Sequence, residues 1–251
     1  MSGIEFPRID RNIVADDGDA YTFCSTCAFS HACLSQGMDK SSLQDLHMLV
    51  EHIGPLHAGD HVFREGDPFE AIAAVRAGTV KTYTIDREGR EHVLGFHLPG
   101  EVIGLNAIAE DRFPCNAVAL DTVTLCRFSF PKISILAARL PRLQQTLFQL
   151  LSRDIGTASM LSGDWSADER MAAFLVRLSR RLAARGFSPD RFQLTMSRTD
   201  IANYLRLAPE TVSRVLKRFN DEGLIVVDRR EVDLVDRQRL EDIAGAILQQ
   251  S

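Results

Sequence analysis

Residues 197–221, SRTDIANYLRLAPETVSRVLKRFND, decide the fold of the C-terminal part of this chain. Ser197 and Asp200 have the spacing of a capping box, which starts a helix. That helix ends in a tight turn at residues 206–208, and Pro209 suits the first position of a second helix because its φ is fixed. The stretch therefore predicts a helix-turn-helix, whose second helix enters the major groove of DNA.

The predicted second helix has two faces of different chemistry. Its apolar residues recur at helical spacing and predict a buried face, formed by Val212, Val215, Leu216 and Phe219. On the outer face Arg214 can make a bidentate contact to guanine, and Glu210 can accept a hydrogen bond from cytosine. The side chains better suited to DNA phosphates are Arg206, Thr211, Lys217 and Arg218.

A hairpin is predicted directly after this helix. Residues 224–227 and 232–234 are apolar runs on either side of a charged turn at 228–231, so they predict the wing of a winged helix. An ordinary amphipathic helix with a solvated charged face would share the periodicity but not the cap, the turn and the hairpin.

The charge of the chain is unevenly distributed. The net charge is −5, yet residues 166–251 carry fifteen Arg and Lys against thirteen Asp and Glu, while the rest carries fourteen against twenty-one. Basic charge is therefore concentrated where DNA would lie. The first twenty residues contain no apolar signal region, and no apolar run is long enough to span a bilayer, so we expect a cytoplasmic protein without a membrane partner.

The middle of the 251-residue chain predicts a strand-rich domain. A short helical pattern starts near Ser41, and short runs at residues 61–63, 71–75, 80–85 and 92–96 alternate with turn signals containing glycine or proline. Strands at this regular spacing, reaching about Phe130, predict a sandwich or jelly roll.

Residues 133–161 have a helical period with two apolar stripes. One stripe steps by three and four like the seam of a coiled-coil dimer and consists of Phe148, Leu151, Ile155 and Ala158. The other stripe can pack on the strand domain and consists of Leu140, Leu143, Leu147 and Leu150. One wide core face on a monomer would give the same pattern. The recognition helix favours a dimer, because two such helices about a two-fold axis read a palindromic site.

Five cysteines in a reducing compartment indicate metal or redox chemistry rather than disulfides. Cys24, Cys27 and Cys33 are clustered, and three clustered thiolates with a distant fourth can hold a [4Fe-4S] cluster or a tetrahedral zinc ion. The spacing does not separate these two groups, nor does it exclude a site without metal. His31 could also be a ligand.

The fourth ligand is either Cys115 or Cys126. Cys115 lies in a loop-like stretch. Cys126 is in phase with Phe128 and Phe130 on an apolar strand face, where a buried structural cysteine is the commoner case. The pattern alone therefore mildly disfavours Cys126.

Over nearly its whole length the chain resembles the CRP/FNR superfamily of transcription regulators, and within it the oxygen-sensing FNR-type branch. The resemblance rests on the cysteine spacing, on residues 95–104 (GFHLPGEVIG), 178–181 (LSRR) and 185–189 (RGFSP), and on residues 194–198 (LTMSR) and 210–214 (ETVSR). It implies an α+β protein with four parts: a cysteine-bearing arm (residues 1–39), a cyclic-nucleotide-binding-like jelly roll (40–132), a long dimerisation helix (133–162) and a winged helix-turn-helix domain (163–251).

The resemblance also implies site residues. Residues 117–126 match the strand that supplies the fourth thiolate in the family, so the [4Fe-4S] ligands would be Cys24, Cys27, Cys33 and Cys126, with Cys115 as an extra thiol. Glu210, Ser213 and Arg214 would read TTGAT-type half-sites in palindromic DNA bound by a homodimer. The hairpin tip at residues 86–91 matches a loop that contacts RNA polymerase in the family, which implicates Arg87, Gly89 and Arg90, although a solvated charged turn would have the same sequence.

Other functional classes fit the sequence less well. A cyclic-nucleotide site resembles a Gly-Glu-Leu/Ile-Ala segment followed by an Arg-Ser or Arg-Ala pair. Here Gly100-Glu101 is followed by Val102-Ile103-Gly104 and Arg112 by Phe113, so we expect no cyclic nucleotide. No arrangement of Ser/His/Asp, paired carboxylates or a nucleotide loop supports an enzyme. The remaining alternative is a CRP-like regulator that responds to zinc or a small molecule.

These features suggest a mechanism. We expect an intact cluster to order the arm against the start of the Phe148–Ala158 helix and to favour the dimer, and we expect loss of the cluster in oxygen to reverse this. Ala28 and Phe29, beside the ligands, would set the access of oxygen and water. A difference of about 5.5 kcal/mol would move such an equilibrium from 1:99 to 99:1.

Overall fold

The computed structural model describes residue 24 and residues 27–160 and 163–249. After the cysteine-bearing loop, helix α1 (Lys40–His47) begins at Asp39, whose carboxylate accepts a hydrogen bond from the backbone N–H of Ser42. Eight strands follow: β1 (Val50–Leu56), β2 (His61–Phe63), β3 (Ala71–Ala77), β4 (Val80–Ile85), β5 (Glu91–His97), β6 (Val102–Ile103), β7 (Asn116–Ala119) and β8 (Val123–Ser129).

These strands form two antiparallel four-stranded sheets, in the orders β1-β8-β3-β6 and β2-β7-β4-β5. The predicted jelly roll is confirmed. A core fills the space between the sheets and contains Phe63, Val75, Val80, Ala117 and Leu125. Gly78 makes the tight β3–β4 turn, where its φ of +80° and the carbonyl of Thr122 exclude a side chain.

Strand β8 is apolar on both faces because it lies between two cores. Val123 and Leu125 face the core between the sheets. Cys126 and Phe128 face a second core, formed with the helices and the cysteine-bearing loop, which includes Leu34, Ile133 and Leu143. Alternation along one strand therefore turns Cys126 towards the N-terminal loop.

The helical segment after β8 is divided. Helix α2 spans Phe130–Arg139 and helix α3 spans Pro141–Met160, with extended backbone at Leu140 (φ −114°, ψ 95°). The sequence predicted continuous helix from Ile133, and the break follows from Pro141, which disfavours helical backbone at the residue before it. The predicted stripe of Leu140, Leu143, Leu147 and Leu150 packs on the second core, as expected.

The C-terminal domain has the predicted winged-helix elements. They are α4 (Ala167–Ala183), β9 (Arg191–Gln193), α5 (Arg198–Leu205), α6 (Pro209–Asp221), β10 (Ile225–Asp228), β11 (Glu231–Leu234) and α7 (Arg237–Gln249), which is kinked at Gly245. Ser197 and Asp200 form the predicted capping box of α5. The wing strands pair in the order β10-β11-β9.

The two domains dock through buried polar groups. Glu101, between β5 and β6, pairs with Arg181 (2.6 Å) and Arg185 (2.7 Å) at the end of α4. Lys81 on β4 bridges Glu91 (2.6 Å) and Asp200 (2.7 Å) at the start of α5. None of the helices in the described ranges is long and apolar enough to cross a membrane.

Candidate functional site

Helix α6 presents the predicted base-reading residues at its N-terminal end. Glu210, Ser213 and Arg214 are all exposed. The opposite face of the helix is buried, as predicted, and consists of Val212, Val215, Leu216 and Phe219. Packing of this face against α4 and α5 fixes the rotation of the helix, so the base-reading side chains point away from the domain.

Two of these side chains make hydrogen bonds within the helix. Ser213 Oγ donates to the carbonyl of Pro209 (3.1 Å), and Arg214 Nη2 donates to Thr211 Oγ1 (3.1 Å). Both bonds are solvent-exposed. Replacing them with hydrogen bonds to DNA bases therefore costs little free energy, because no buried polar group loses its partner.

The residues predicted to contact phosphates surround this face but are not equivalent. Lys217 is exposed, and Arg206 caps α5 in the left-handed region with a φ of +56°. Thr211 is half-buried at the first turn of α6. Arg218 forms an ion pair with Asp168 at the start of α4, which the sequence did not indicate. A phosphate at Arg218 would have to compete with that carboxylate.

The other candidate site is a group of four sulfurs from two parts of the chain, the cysteine-bearing loop and β8. An ionised Cys24 or Cys126 would raise the pKa of Cys33, and an ionised Cys24 or Cys27 would raise that of Cys126, so Cys126 lies within electrostatic reach of the other three thiols. All four are half-buried. Residues 25 and 26, between two of them, lie outside the described part of the chain.

Burial and mutual repulsion disfavour thiolates here without a compensating cation. Burial raises the pKa of Cys33 to about 12 and that of Cys126 to about 11. Burial and the neighbouring Cys27 also raise the pKa of Cys24, although Arg76 acts in the opposite direction. A bound metal reverses this preference because a coordinating thiol is deprotonated outright. In its chemistry, though not in its arrangement, the set of four cysteine sulfurs is one that a thiolate-ligated metal group takes.

The four sulfurs are near one another without being gathered around a point. Within residues 27–160 and 163–249 and at Cys24, no three His, Cys, Asp or Glu side chains are placed to hold one metal ion. His31, which the sequence offered as a further ligand, is used elsewhere. Its Nε2 donates to the carbonyl of Ala184 (2.9 Å) just beyond α4.

Cys115 is separate from this group. Its side chain is 1% exposed in the core between the two sheets, where Asn106 Nδ2 lies 3.5 Å from its sulfur. The stretch around Cys115 is loop-like, as the sequence indicated, but its thiol is enclosed and does not lie with the other four sulfurs. The preceding segment folds inward, since Phe113 stacks on Phe63 with ring centroids 3.8 Å apart.

The cysteine-bearing loop contacts the DNA-binding domain as well as the jelly roll. Besides the His31 bond, the ring of Phe29 lies 5.7 Å from that of Phe187. The charge of Cys33 also acts on Arg185, the buried arginine that pairs with Glu101. The cysteine-bearing loop, the jelly roll and the DNA-binding domain therefore meet at one junction. Residue spacing could not reveal it, because partners such as His31 and Ala184 lie more than 150 residues apart in the sequence.

The predicted dimer seam is partly described. The Phe148 side chain on α3 is 61% exposed, whereas Leu151 is half-buried against the second core. The side chains of Ile155 and Ala158 lie outside the described part of the structure. Phe148 is thus an exposed aromatic side chain on a helix whose other face is already packed.

Comparisons with known proteins match both halves of the chain. Residues 54–139 match the family described as Cyclic nucleotide-binding domain, and residues 169–243 match the Crp-like helix-turn-helix domain. Transcriptional activator protein anr of Pseudomonas aeruginosa is 41% identical over 90% of this chain and 94% of its own length. The chain belongs to the FNR-type branch of the CRP/FNR family. It is therefore a DNA-binding transcription regulator and not an enzyme.

Other members of the CRP/FNR family support the same assignment. The Fumarate and nitrate reduction regulatory protein of Escherichia coli K12 is 38% identical over 95% of this chain and 96% of its own length. The solved structure of FixK2 from Bradyrhizobium japonicum is 28% identical and superposes with a TM-score of 0.71 over 78% of this chain and 98% of that one.

The hairpin tip of this CRP/FNR protein is ordered by one carboxylate. Asp86 accepts hydrogen bonds from the backbone of Arg90 and from its Nε (2.7 Å), while His92 Nε2 lies 2.9 Å away. His92 and Arg90 lower the pKa of Asp86 through these bonds. Of the predicted polymerase-contacting residues, Arg90 is thus paired, whereas Arg87 and Gly89 are exposed at the tip.

Arg112 lies in the segment that matches the nucleotide-binding family. Its side chain is exposed, and its Nη1 donates a hydrogen bond to the carbonyl of Gly66 (2.7 Å). The arginines of the junction, by contrast, are Arg181, which is half-buried, and Arg185, which is buried. The sequence displayed both in motifs shared with the family, but periodicity could not reveal that they pair with Glu101 some eighty residues earlier.

Proposed function

We propose that this protein is an oxygen-responsive transcription regulator. A [4Fe-4S] cluster held by Cys24, Cys27, Cys33 and Cys126 would promote a DNA-binding homodimer at low oxygen and be lost on exposure to oxygen. The dimer would bind TTGAT-type palindromes and activate or repress genes used without oxygen. The name of the Escherichia coli relative, which refers to fumarate and nitrate reduction, agrees with this role.

The observation that carries the proposal is the grouping of the sulfurs. Cys126 lies within electrostatic reach of Cys24, Cys27 and Cys33, although it is almost a hundred residues from the nearest of them. The fifth, Cys115, is enclosed in a different core. Nearby thiols raise the cost of ionising one another, and a metal group that binds them as thiolates would offset that cost.

When bound, the cluster supplies iron that reacts with oxygen and a net charge of about −2. The protein supplies the surroundings of that charge. Arg76 lowers the pKa of both Cys24 and Cys126, so a cation already lies near the sulfurs. Phe29, next to Ala28 on the loop, is held against Phe187, which places an aromatic ring beside the ligands.

Binding at the four cysteines would also fix the loop on which three of them lie. Leu34, directly after Cys33, is fully buried in the core that contains Leu143 and the inner stripe of α3. Ordering the loop therefore supports the packing of α3, and α3 carries Phe148 on its outer side. This contact links the cysteines to the predicted dimer seam.

The DNA-reading step uses residues of α6. In a dimer, two copies of the helix would present Glu210, Ser213 and Arg214 to successive major grooves, and the symmetry of the pair requires a palindromic site. Lys217 and Arg206 would contact phosphates on either side. Activation would use the hairpin tip at Arg87, Gly89 and Arg90 to contact RNA polymerase.

Titration of anaerobically purified protein with air tests the proposal. We expect the visible iron–sulfur absorbance, the dimer fraction and the affinity for a TTGAT palindrome to fall together, since one event drives all three. Metal analysis of the same samples should show iron and inorganic sulfide. Stoichiometric zinc without iron, or DNA affinity unchanged after the cluster is lost, would refute the proposal.

A further inference from the structure

The fourth sulfur has a histidine neighbour that the proposed function does not use. His52 on β1 is paired directly with Cys126 on β8 in the antiparallel ladder, and His52 Nδ1 lies 3.8 Å from Cys126 Sγ. Residues directly opposite each other in such a ladder project from the same face of the sheet. The backbone register therefore fixes this contact.

The other neighbour of Cys126 leaves the sulfur accessible from that side. Ala74 on β3 is paired with Cys126 across the second ladder and offers only a methyl group. Arg76, two residues further along β3, lowers the pKa of Cys126 and Cys24 by its charge. The described hydrogen-bond contact of the Cys126 sulfur is the one with His52.

We propose that His52 is a positioning residue for the fourth thiolate, to which its Nδ1–H donates a hydrogen bond. A thiolate can only accept, so the imidazole must be the donor when Cys126 is ionised. The bond orients Cys126 towards the other sulfurs and stabilises its charge. Hydrogen bonds to cluster sulfurs and to other metal ligands set reduction potential and retention of the group.

The inference rests on the proposed function, but one arm of its test does not need a cluster. In reduced, metal-free, full-length protein, alkylation at each cysteine is followed by mass spectrometry below the thiol pKa. We expect His52→Phe to slow alkylation of Cys126 roughly threefold. Without the hydrogen bond a smaller fraction of Cys126 is thiolate, and the greater nucleophilicity of that thiolate offsets only part of the loss. His52→Gln, which keeps an N–H donor, should stay closer to wild type, and Cys115 is the internal reference.

The second arm uses protein reconstituted with iron and sulfide. In air-saturated buffer we expect the visible absorbance of His52→Phe to decay roughly tenfold faster than that of wild type or His52→Gln. His57→Gln is the matched control, because His57 is exposed in the loop after β1. Matching unfolding midpoints of the metal-free variants confirm that the Phe ring is tolerated.

The two arms separate the two proposals. If wild type binds no cluster, the proposed function fails, and equal alkylation of Cys126 in all variants would then overturn the role of His52 as well. If wild type binds a cluster and His52→Phe loses it at the wild-type rate, the positioning role is wrong while the proposed function stands.

Discussion

Arg185, just beyond the end of α4, places Nη2 2.7 Å from Oε1 of Glu101 in the jelly roll. Its side chain is only 5% exposed, and it lies within electrostatic reach of Cys33. The arginine that anchors the DNA-binding domain therefore also lies near a predicted metal ligand. A change of charge at the sulfurs would be felt directly at the domain junction.

Glu101→Gln should weaken this junction. The substitution leaves Arg181 and Arg185 without a carboxylate, and removing one partner of a buried ion pair costs about 3–5 kcal/mol. We expect the free energy of unfolding, measured in urea, to decrease by an amount at the lower end of that range, because Arg181 is one-third exposed. Glu51→Gln is the control. Glu51 is 60% exposed and forms a surface ion pair with Arg127, so the loss should be below about 1 kcal/mol. Equal losses would mean that the Glu101 pairs contribute no more than a surface pair.

Much of the C-terminal domain could be predicted because its signals are local. The cap at Ser197, the turn before Pro209 and the wing are each determined by residues a few positions apart, and the structure contains all three. The break at Leu140 was also encoded locally, by Pro141, but the strong helical period on both sides concealed it.

The junction could not be predicted in this way. Glu101, Arg181, His31 and Ala184 meet only after three separate segments have packed, and a single charged residue carries no periodicity. The same reason explains Cys115 and Cys126. Both lie near apolar strands, and only the arrangement of the two sheets shows that one faces the inner core and the other faces the cysteine-bearing loop.

Cys126→Ser should abolish retention of iron, whereas Cys115→Ser should not. The Cys126 sulfur lies with the other three, and Cys115 is enclosed between the sheets. We therefore expect iron per subunit after anaerobic reconstitution to fall to background in the first variant and to stay at the wild-type level in the second. Iron content and visible absorbance give the result, and full retention in Cys126→Ser would remove Cys126 from the ligand set.

His97 should make the stability of the protein fall in mild acid. Burial lowers the pKa of His97 from 6.5 to about 4, although the nearby Glu101 carboxylate acts in the opposite direction. Between these values the unfolded chain binds a proton that the folded chain does not, so stability is lost as the pH falls below 6.5. At about pH 5 the loss relative to neutral pH should be about 2 kcal/mol.

His97→Gln removes this titration and keeps a polar partner for Thr82 Oγ1, which lies 3.1 Å from the imidazole. Urea unfolding of metal-free protein at neutral and mildly acidic pH should show a flatter pH dependence in the variant. Glu101 adds little to the comparison above about pH 5. Its arginine partners outweigh burial and lower its pKa from 4.5 to about 2, so the stability that it contributes is lost only as the pH falls below about 4.5. Identical pH dependence in both proteins would show that His97 is not the group responsible.

Phe148→Asp should shift the protein towards monomers. Phe148 is 61% exposed on α3, and burying a phenylalanine stabilises by about 1.5–3 kcal/mol per copy. A two-fold interface contains two copies, so we expect the dissociation constant of the reconstituted dimer to rise at least about a hundredfold in analytical ultracentrifugation. Val235→Asp, at a residue equally exposed but in the DNA-binding domain, is the control. If both variants dimerise like wild type, the seam lies elsewhere.

Arg214→Ala and Lys217→Ala should impair DNA binding in different ways, although both side chains are exposed on α6. Arg214 can contact a base edge, so its loss should cost about 1–3 kcal/mol per half-site on the preferred sequence and relax specificity at one base pair. Lys217 can contact a phosphate, so its loss should weaken binding to all sequences about equally. It should also reduce the slope of log affinity against log salt concentration by about one per subunit.

Binding isotherms on a TTGAT palindrome and on single-base variants, at several salt concentrations, distinguish the two effects. The test depends on the pattern across sequences and not on the size of either loss. Unfolding midpoints of Arg214→Ala should match wild type, because the described hydrogen bond of Arg214 is the exposed one to Thr211. A uniform loss across all sequences in Arg214→Ala would place this arginine on the phosphate backbone and remove it from the base-reading set.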